Sequence, residues 1–175
     1  AYAMTGWRIG YMCAPSEQSK FMREVIKLQG QMTNSIASFF LPAVIEALSP
    51  ATLPEVEKMR IAFAERAKLI HQLLSAIPGF KTVQPTGAFY SFPNIGDLLG
   101  RKSPGGRLLD SAQAFSEALL AEAHVAVVPG EDFGECARNH IRLSFACSQA
   151  QIEKGIARID AFARSLVQVE AASRS

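Results

Sequence analysis

From Thr52 to Gly79 the sequence keeps one period. Val56, Met59, Phe63, Ile70, Leu73, Leu74 and Ile77 recur at helical spacing and share one side of a long helix. Thr52 and Glu55 have the spacing of a capping box, in which hydroxyl and carboxylate each satisfy a free backbone N–H at the helix start. Pro78-Gly79 marks its end. A helix of that length with one apolar stripe needs a surface to lie against, and the residues after it read as that surface.

Short strands are expected over Phe80–Val83 and Ala88–Phe92, separated by the turn signal Pro85-Thr86-Gly87. Residues 93–110 hold six glycines and prolines of the kind that mark loops, along with Arg101, Lys102 and Arg107, and read as a mobile, solvated connection. Asp110-x-x-Gln113 then caps a helix carrying Phe115, Leu119 and Leu120, and Val125–Val128 reads as a buried strand. Ile141–Ala146 is a last strand, and Ser148 to Gln151 opens a closing helix with Ile152, Ile156, Ile159, Phe162 and Leu166 inward.

Before the long helix, Trp7–Ala14 reads as a strand ending at Pro15. From Ser16 the pattern turns helical through Phe21, Met22, Val25, Ile26 and Leu28. A second helix is expected from Thr33–Ser35 through Ile36, Phe39, Phe40 and Val44, with Pro42 bending it or lying in its first turns. The fold class is therefore α/β, with an α+β small domain, divided into residues 1–50 and 51–175. A lone early strand with no sequence neighbour suggests a truncated chain.

Composition narrows the function. At 175 residues, 49% hydrophobic and 19% charged, the chain can bury a core without disulfides or metal. Its 18 basic and 16 acidic residues form no basic cluster, which argues against nucleic acid or a membrane surface as partner. The apolar stretch Ile36–Leu48 is broken by Pro42 and Glu46 and is too short to cross a bilayer, and the start lacks a signal-peptide pattern. Cys13, Cys136 and Cys147 are odd in number and far apart, which points to a reducing cytoplasm and away from a disulfide framework. His71, His124 and His140 have no metal-ligand spacing, so no metal site is expected. Nucleophile-elbow, P-loop and dinucleotide-binding glycine motifs are absent.

Two arginines stand out. Arg8 lies between Gly6 and Gly10, where backbone can approach a ligand, and its guanidinium can grip a phosphate or make a surface ion pair. Arg142 alternates with Ile141 and Leu143, so it shares the outer strand face with Ser144. That side chain either faces solvent or clamps a carboxylate. Trp7, Tyr11, Phe89 and Tyr90 can stack on a ligand or pack in the core.

Ala3-Met4-Thr5-Gly6-Trp7-Arg8-Ile9-Gly10-Tyr11 resembles the segment downstream of the cofactor lysine in class I/II, fold-type I, pyridoxal-phosphate aminotransferases, in their aspartate-aminotransferase-like branch. Pro85-Thr86-Gly87-Ala88-Phe89-Tyr90, Val125-Ala126-Val127-Val128-Pro129-Gly130 with Phe133-Gly134, and Ile141-Arg142-Leu143-Ser144-Phe145-Ala146 match further motifs in order. The resemblance implies an enzyme moving an amino group between an α-amino acid and a 2-oxo acid with pyridoxal 5'-phosphate, as a cytoplasmic homodimer. Carbon–sulfur lyases and the ligand-sensing domains of some transcription regulators share the scaffold and stay open as alternatives.

The resemblance also implies residue roles. Arg8 would hold the cofactor phosphate, Arg142 would bind the substrate carboxylate, and Phe89 would lie near the substrate. Thr33 and Asn34 would fall in a loop that reaches the partner subunit's site. The family's Schiff-base lysine would stand just before Ala1. On that expectation the chain holds the last part of the large domain plus the small domain, contains no catalytic residue, does not retain the cofactor and is inactive alone.

Overall fold

The computed structural model describes residues 2–15 and 19–169. The chain divides into two compact units, residues 1–60 and 61–175, and the division falls within the long helix.

In the first unit, Thr5–Trp7 make one 3₁₀ turn and residues 8–14 are irregular, so the strand expected over Trp7–Ala14 does not form. A strand needs a neighbour to take its N–H and C=O groups, and the described residues of this unit supply only helices and turns. Helix α1, Lys20–Met32, starts where the Ser19 hydroxyl accepts from the Met22 N–H at 3.1 Å. Ser16, its expected start, lies outside the described residues. A 3₁₀ turn at Ser38–Phe40 leads into α2, Leu41–Ala47, with Pro42 in the first turn, where its missing N–H has no partner to lose. Neither helix buries a side chain: Phe21, Ile26 and Ile45 are 64%, 63% and 71% exposed, as is Phe39 of the 3₁₀ turn at 73%.

The long helix is α3, Leu53–Ser75. Its start is not the expected capping box. Pro50–Thr52 form a 3₁₀ turn, which aims the Thr52 hydroxyl backward to donate to the Ala47 and Ser49 carbonyls, while Glu55 takes the Lys58 ammonium at 2.6 Å.

The second unit is a small antiparallel sheet covered by helices. β1 (Tyr90–Ser91), β2 (Val128–Pro129) and β3 (Ile141–Ser144) stand in the order β1-β3-β2, with Tyr90 opposite Ser144 and Val128 opposite Arg142. Phe80–Val83 contributes only a bridge, Lys81 to Asn94. Helix α4, Ala112–Ala123, is capped by Ser111, one residue after the expected Asp110. Helix α5, Gln149–Arg164, carries the expected capping box of Ser148 and Gln151. Ile70 and Leu74 of α3, Phe115 and Leu119 of α4, and Ile156 and Ile159 of α5 meet Ile141, Leu143 and Phe145 in one core.

Residues 93–110 are built into that core. Ile95, Leu98 and Leu109 are at most 1% exposed, and Lys102 pairs with both Leu108 and Val167. The glycines and prolines do make turns, but the apolar residues between them anchor the segment. Glu122 adds a latch, accepting from the Ser103 hydroxyl at 2.7 Å and the Gly105 N–H at 3.0 Å. Among the described residues, no single helix is long and apolar enough to cross a membrane.

Candidate functional site

Period-two alternation in β3 puts Ile141 and Leu143 in the core and leaves Arg142 and Ser144 on the outer face. Cross-strand register adds Tyr90 from β1 and Val128 from β2 to that face. With Ala126 and Val127 these side chains line a cavity of about 150 Å³. Its walls are mostly apolar and its one charge is the Arg142 guanidinium.

That guanidinium has no carboxylate partner among the described residues. Two rings hold it instead. Its Cζ lies over the Tyr90 ring at 4.5 Å from the centroid and over the Phe133 ring at 4.7 Å. Phe133 closes the 3₁₀ turn Gly130–Phe133, which follows β2 directly. Glu131 of the same turn accepts at Oε1 from the Ala112 and Gln113 N–H groups, 3.1 and 3.4 Å away, tying the turn to the start of α4. A permanently charged fork on a rigid strand, with its N–H donors unspent, can take a planar carboxylate in two parallel bonds.

Phe89 lies beside this cavity without lining it. Its ring packs on Phe63 at 5.9 Å and on Tyr90 at 4.6 Å, half-buried at the edge of the core. Tyr90 and Phe133, by contrast, touch the arginine. The sequence marks Tyr90 only as an aromatic able to stack on a ligand or pack in the core, and nothing in the spacing of Phe133 to Arg142 signals their contact.

In the first unit, Arg8 is exposed and left-handed, at φ 56°, and its Nη1 donates back to the Thr5 carbonyl at 3.2 Å. No acidic side chain pairs with it among the described residues. A Cβ added at Gly6 or Gly10 would meet nothing within 4 Å, so the backbone on both sides is open to an approaching group. Thr33 ends α1, its hydroxyl accepting from the Gln29 amide, and Asn34 follows at φ 60°. Among the described residues, no three His, Cys, Asp or Glu side chains converge to hold a metal ion.

Motif order, the small antiparallel sheet and the outward arginine define one class. The family model for aminotransferase class I and II matches residues 1–159, and the chain belongs to that family. Within it the chain is aspartate-aminotransferase-like: it is 39% identical over 160 residues to an aspartate aminotransferase of Pyrococcus horikoshii and 41% over 162 residues to one of Geobacillus stearothermophilus. Those alignments take in 91% and 93% of this chain and 38% of each relative. The solved aspartate aminotransferase of Rhizobium meliloti superposes with a TM-score of 0.82 at 35% identity, over 95% of this chain and 40% of that one. The aromatic aminotransferase of Pyrococcus horikoshii gives 0.77 at 34%, over 91% and 39%. The chain thus spans about two fifths of the length of the relatives it matches.

Proposed function

We propose that this chain serves an aminotransferase that moves an amino group between an α-amino acid and a 2-oxo acid, with Arg142 binding the substrate carboxylate. The observation that carries the reading is the Arg142 guanidinium itself: fixed by two rings beside a cavity, and free of any acidic partner among the described residues. Bidentate binding there fixes the plane of the carboxylate and so the direction of the neighbouring Cα–H bond. Position is what Arg142 supplies; no proton passes through it.

The first unit supports pyridoxal 5'-phosphate as cofactor. Arg8 is a permanent cation with no acid to satisfy, Thr5 adds a hydroxyl, and Gly6 and Gly10 leave room for close backbone approach, which together fit the phosphate end of that molecule. When bound, pyridoxal phosphate supplies an electron sink for the bonds at the amino acid's α-carbon. Arg8 would hold its phosphate, losing only the bond to the Thr5 carbonyl.

A homodimer is the proposed assembly, with Thr33 and Asn34 turned toward the partner's site. The row of exposed apolar side chains from α1 to α2 is costly in water and needs a cover, which the remainder of the full-length chain and a second copy can both supply. A cytoplasmic setting is proposed from three cysteines that are all free, two of them exposed.

The test is Arg142→Leu in the full-length protein. A strongly raised KM for the amino acid with unchanged cofactor absorbance is expected. Unchanged substrate kinetics would remove Arg142 from the site.

A further inference from the structure

We propose that Tyr90 and Phe133 are positioning residues: they hold the Arg142 guanidinium ready for a carboxylate and thereby set substrate affinity. This rests on the role proposed for Arg142 above. The arginine side chain is long, and an exposed one samples many rotamers that binding must freeze. An acidic neighbour would fix it but would occupy the N–H donors that the substrate needs. A ring face attracts the charge without consuming a donor, so the fork is oriented and still free.

The two rings are themselves held. Phe133 stands edge-on to Phe92, 5.6 Å between centroids at 87°, and Phe92 stacks on His140 at 5.1 Å and 16°. Tyr90 is pinned by its strand register opposite Ser144 and by the Phe89 ring at 4.6 Å. The guanidinium therefore sits in a row of rings that cross the sheet from the β2 side to the β1 side. Removing either ring leaves the charge in place but frees its direction.

The experiment uses the full-length, cofactor-loaded protein and reads two quantities: KM for the amino acid and the inhibition constant of propionate, a carboxylate that cannot react. Tyr90→Leu and Phe133→Leu should each raise both by roughly three- to tenfold with a smaller effect on kcat. Tyr90→Phe and Phe133→Trp keep a ring face and should restore both to within about twofold of the unaltered protein. Replacement of Phe133 by pentafluorophenylalanine keeps the shape and reverses the ring's electrostatics, so it should behave like Phe133→Leu. It also decides the matter if a leucine variant does not fold. Leucine and pentafluoro variants with unchanged constants overturn the proposal, as do ring-for-ring exchanges that lose as much as leucine. Arg142→Leu, run alongside, separates the two ideas: if it leaves KM unchanged, the carboxylate role itself fails, whereas if it raises KM while the ring variants are silent, only the clamp fails.

Discussion

Gly130 lies so close to Ala137 that a Cβ placed on it would stand 2.0 Å from the Ala137 carbonyl oxygen. The His140 carbonyl would be 2.6 Å from the same atom, because it already accepts the Gly130 N–H at 2.8 Å. Both obstacles are backbone, so neither can swing aside. This contact starts the turn that carries Phe133 to Arg142, and it links chain packing directly to the candidate site.

Gly130→Ala should therefore cost stability at the upper end of roughly 1–3 kcal/mol, since the turn must move to admit one methyl group. Urea unfolding of the two proteins measures the difference. A loss below about 0.5 kcal/mol, the scale of an ordinary surface change, would show that the turn yields freely and does not position Phe133.

Helix caps give a paired prediction. The Ser148 hydroxyl accepts from the Gln151 backbone N–H at 3.3 Å, and the Ser148 N–H donates to the Gln151 side-chain Oε1 at 3.2 Å. Ser148→Ala should lower stability by about 1 kcal/mol, or the thermal midpoint by roughly 2–4 °C. Glu55→Gln, at the start of α3, should change it by less than about 0.5 kcal/mol, because that carboxylate makes an exposed ion pair with Lys58 and no cap. A larger loss at Glu55 than at Ser148 would reverse the structural assignment of the two boxes.

These two boxes show how much of the fold was legible. At Ser148 the local signal met no competitor and the helix begins there. At Thr52 the same spacing failed because Pro50 opens a 3₁₀ turn, and the hydroxyl finds carbonyls behind it before it can reach an N–H ahead. Trp7–Ala14 has strand composition, but composition cannot supply the neighbouring strand on which hydrogen bonding depends. Arg142 was readable because period two leaves a residue between two core residues only the opposite face to occupy. Phe133 was not: it reaches Arg142 through the geometry of a turn nine residues earlier, and no periodicity spans that link.

The Glu117 carboxyl is held below its usual range by a hydrogen bond from Gln113 and, next, by the Arg107 guanidinium. A carboxylate whose folded pKa is depressed adds stability above its unfolded pKa and loses it as pH falls through the folded one. Glu117→Gln should thus be less stable than the unaltered protein near pH 7, with the gap closing below about pH 4, where an ordinary glutamate is protonated. The group is exposed, so the gap will be small and reduced by salt. Thermal midpoints across pH 3–7 check this; a gap that widens in acid contradicts the sign.

Assembly is tested by mass. Sedimentation of the full-length protein at micromolar concentration should give twice the mass of one chain, and Phe39→Asp with Ile45→Asp, which place charges on the exposed apolar row, should shift it toward a single chain. A full-length protein that is monomeric from the outset would remove the homodimer reading, and a dimer whose mass the two aspartates leave unchanged would assign the apolar row to the rest of its own chain.

The role of Arg142 is tested most directly by changing the group it is said to hold. The rate constant kcat/KM is measured for an amino acid and for the same amino acid with its α-carboxylate converted to a carboxamide, in the unaltered full-length protein and in Arg142→Leu. The account predicts that the unaltered protein favours the carboxylate by about a hundredfold or more, and that the variant keeps less than about a tenth of that preference. A variant that slows both substrates equally, with the preference intact, would show that some other group recognises the carboxylate.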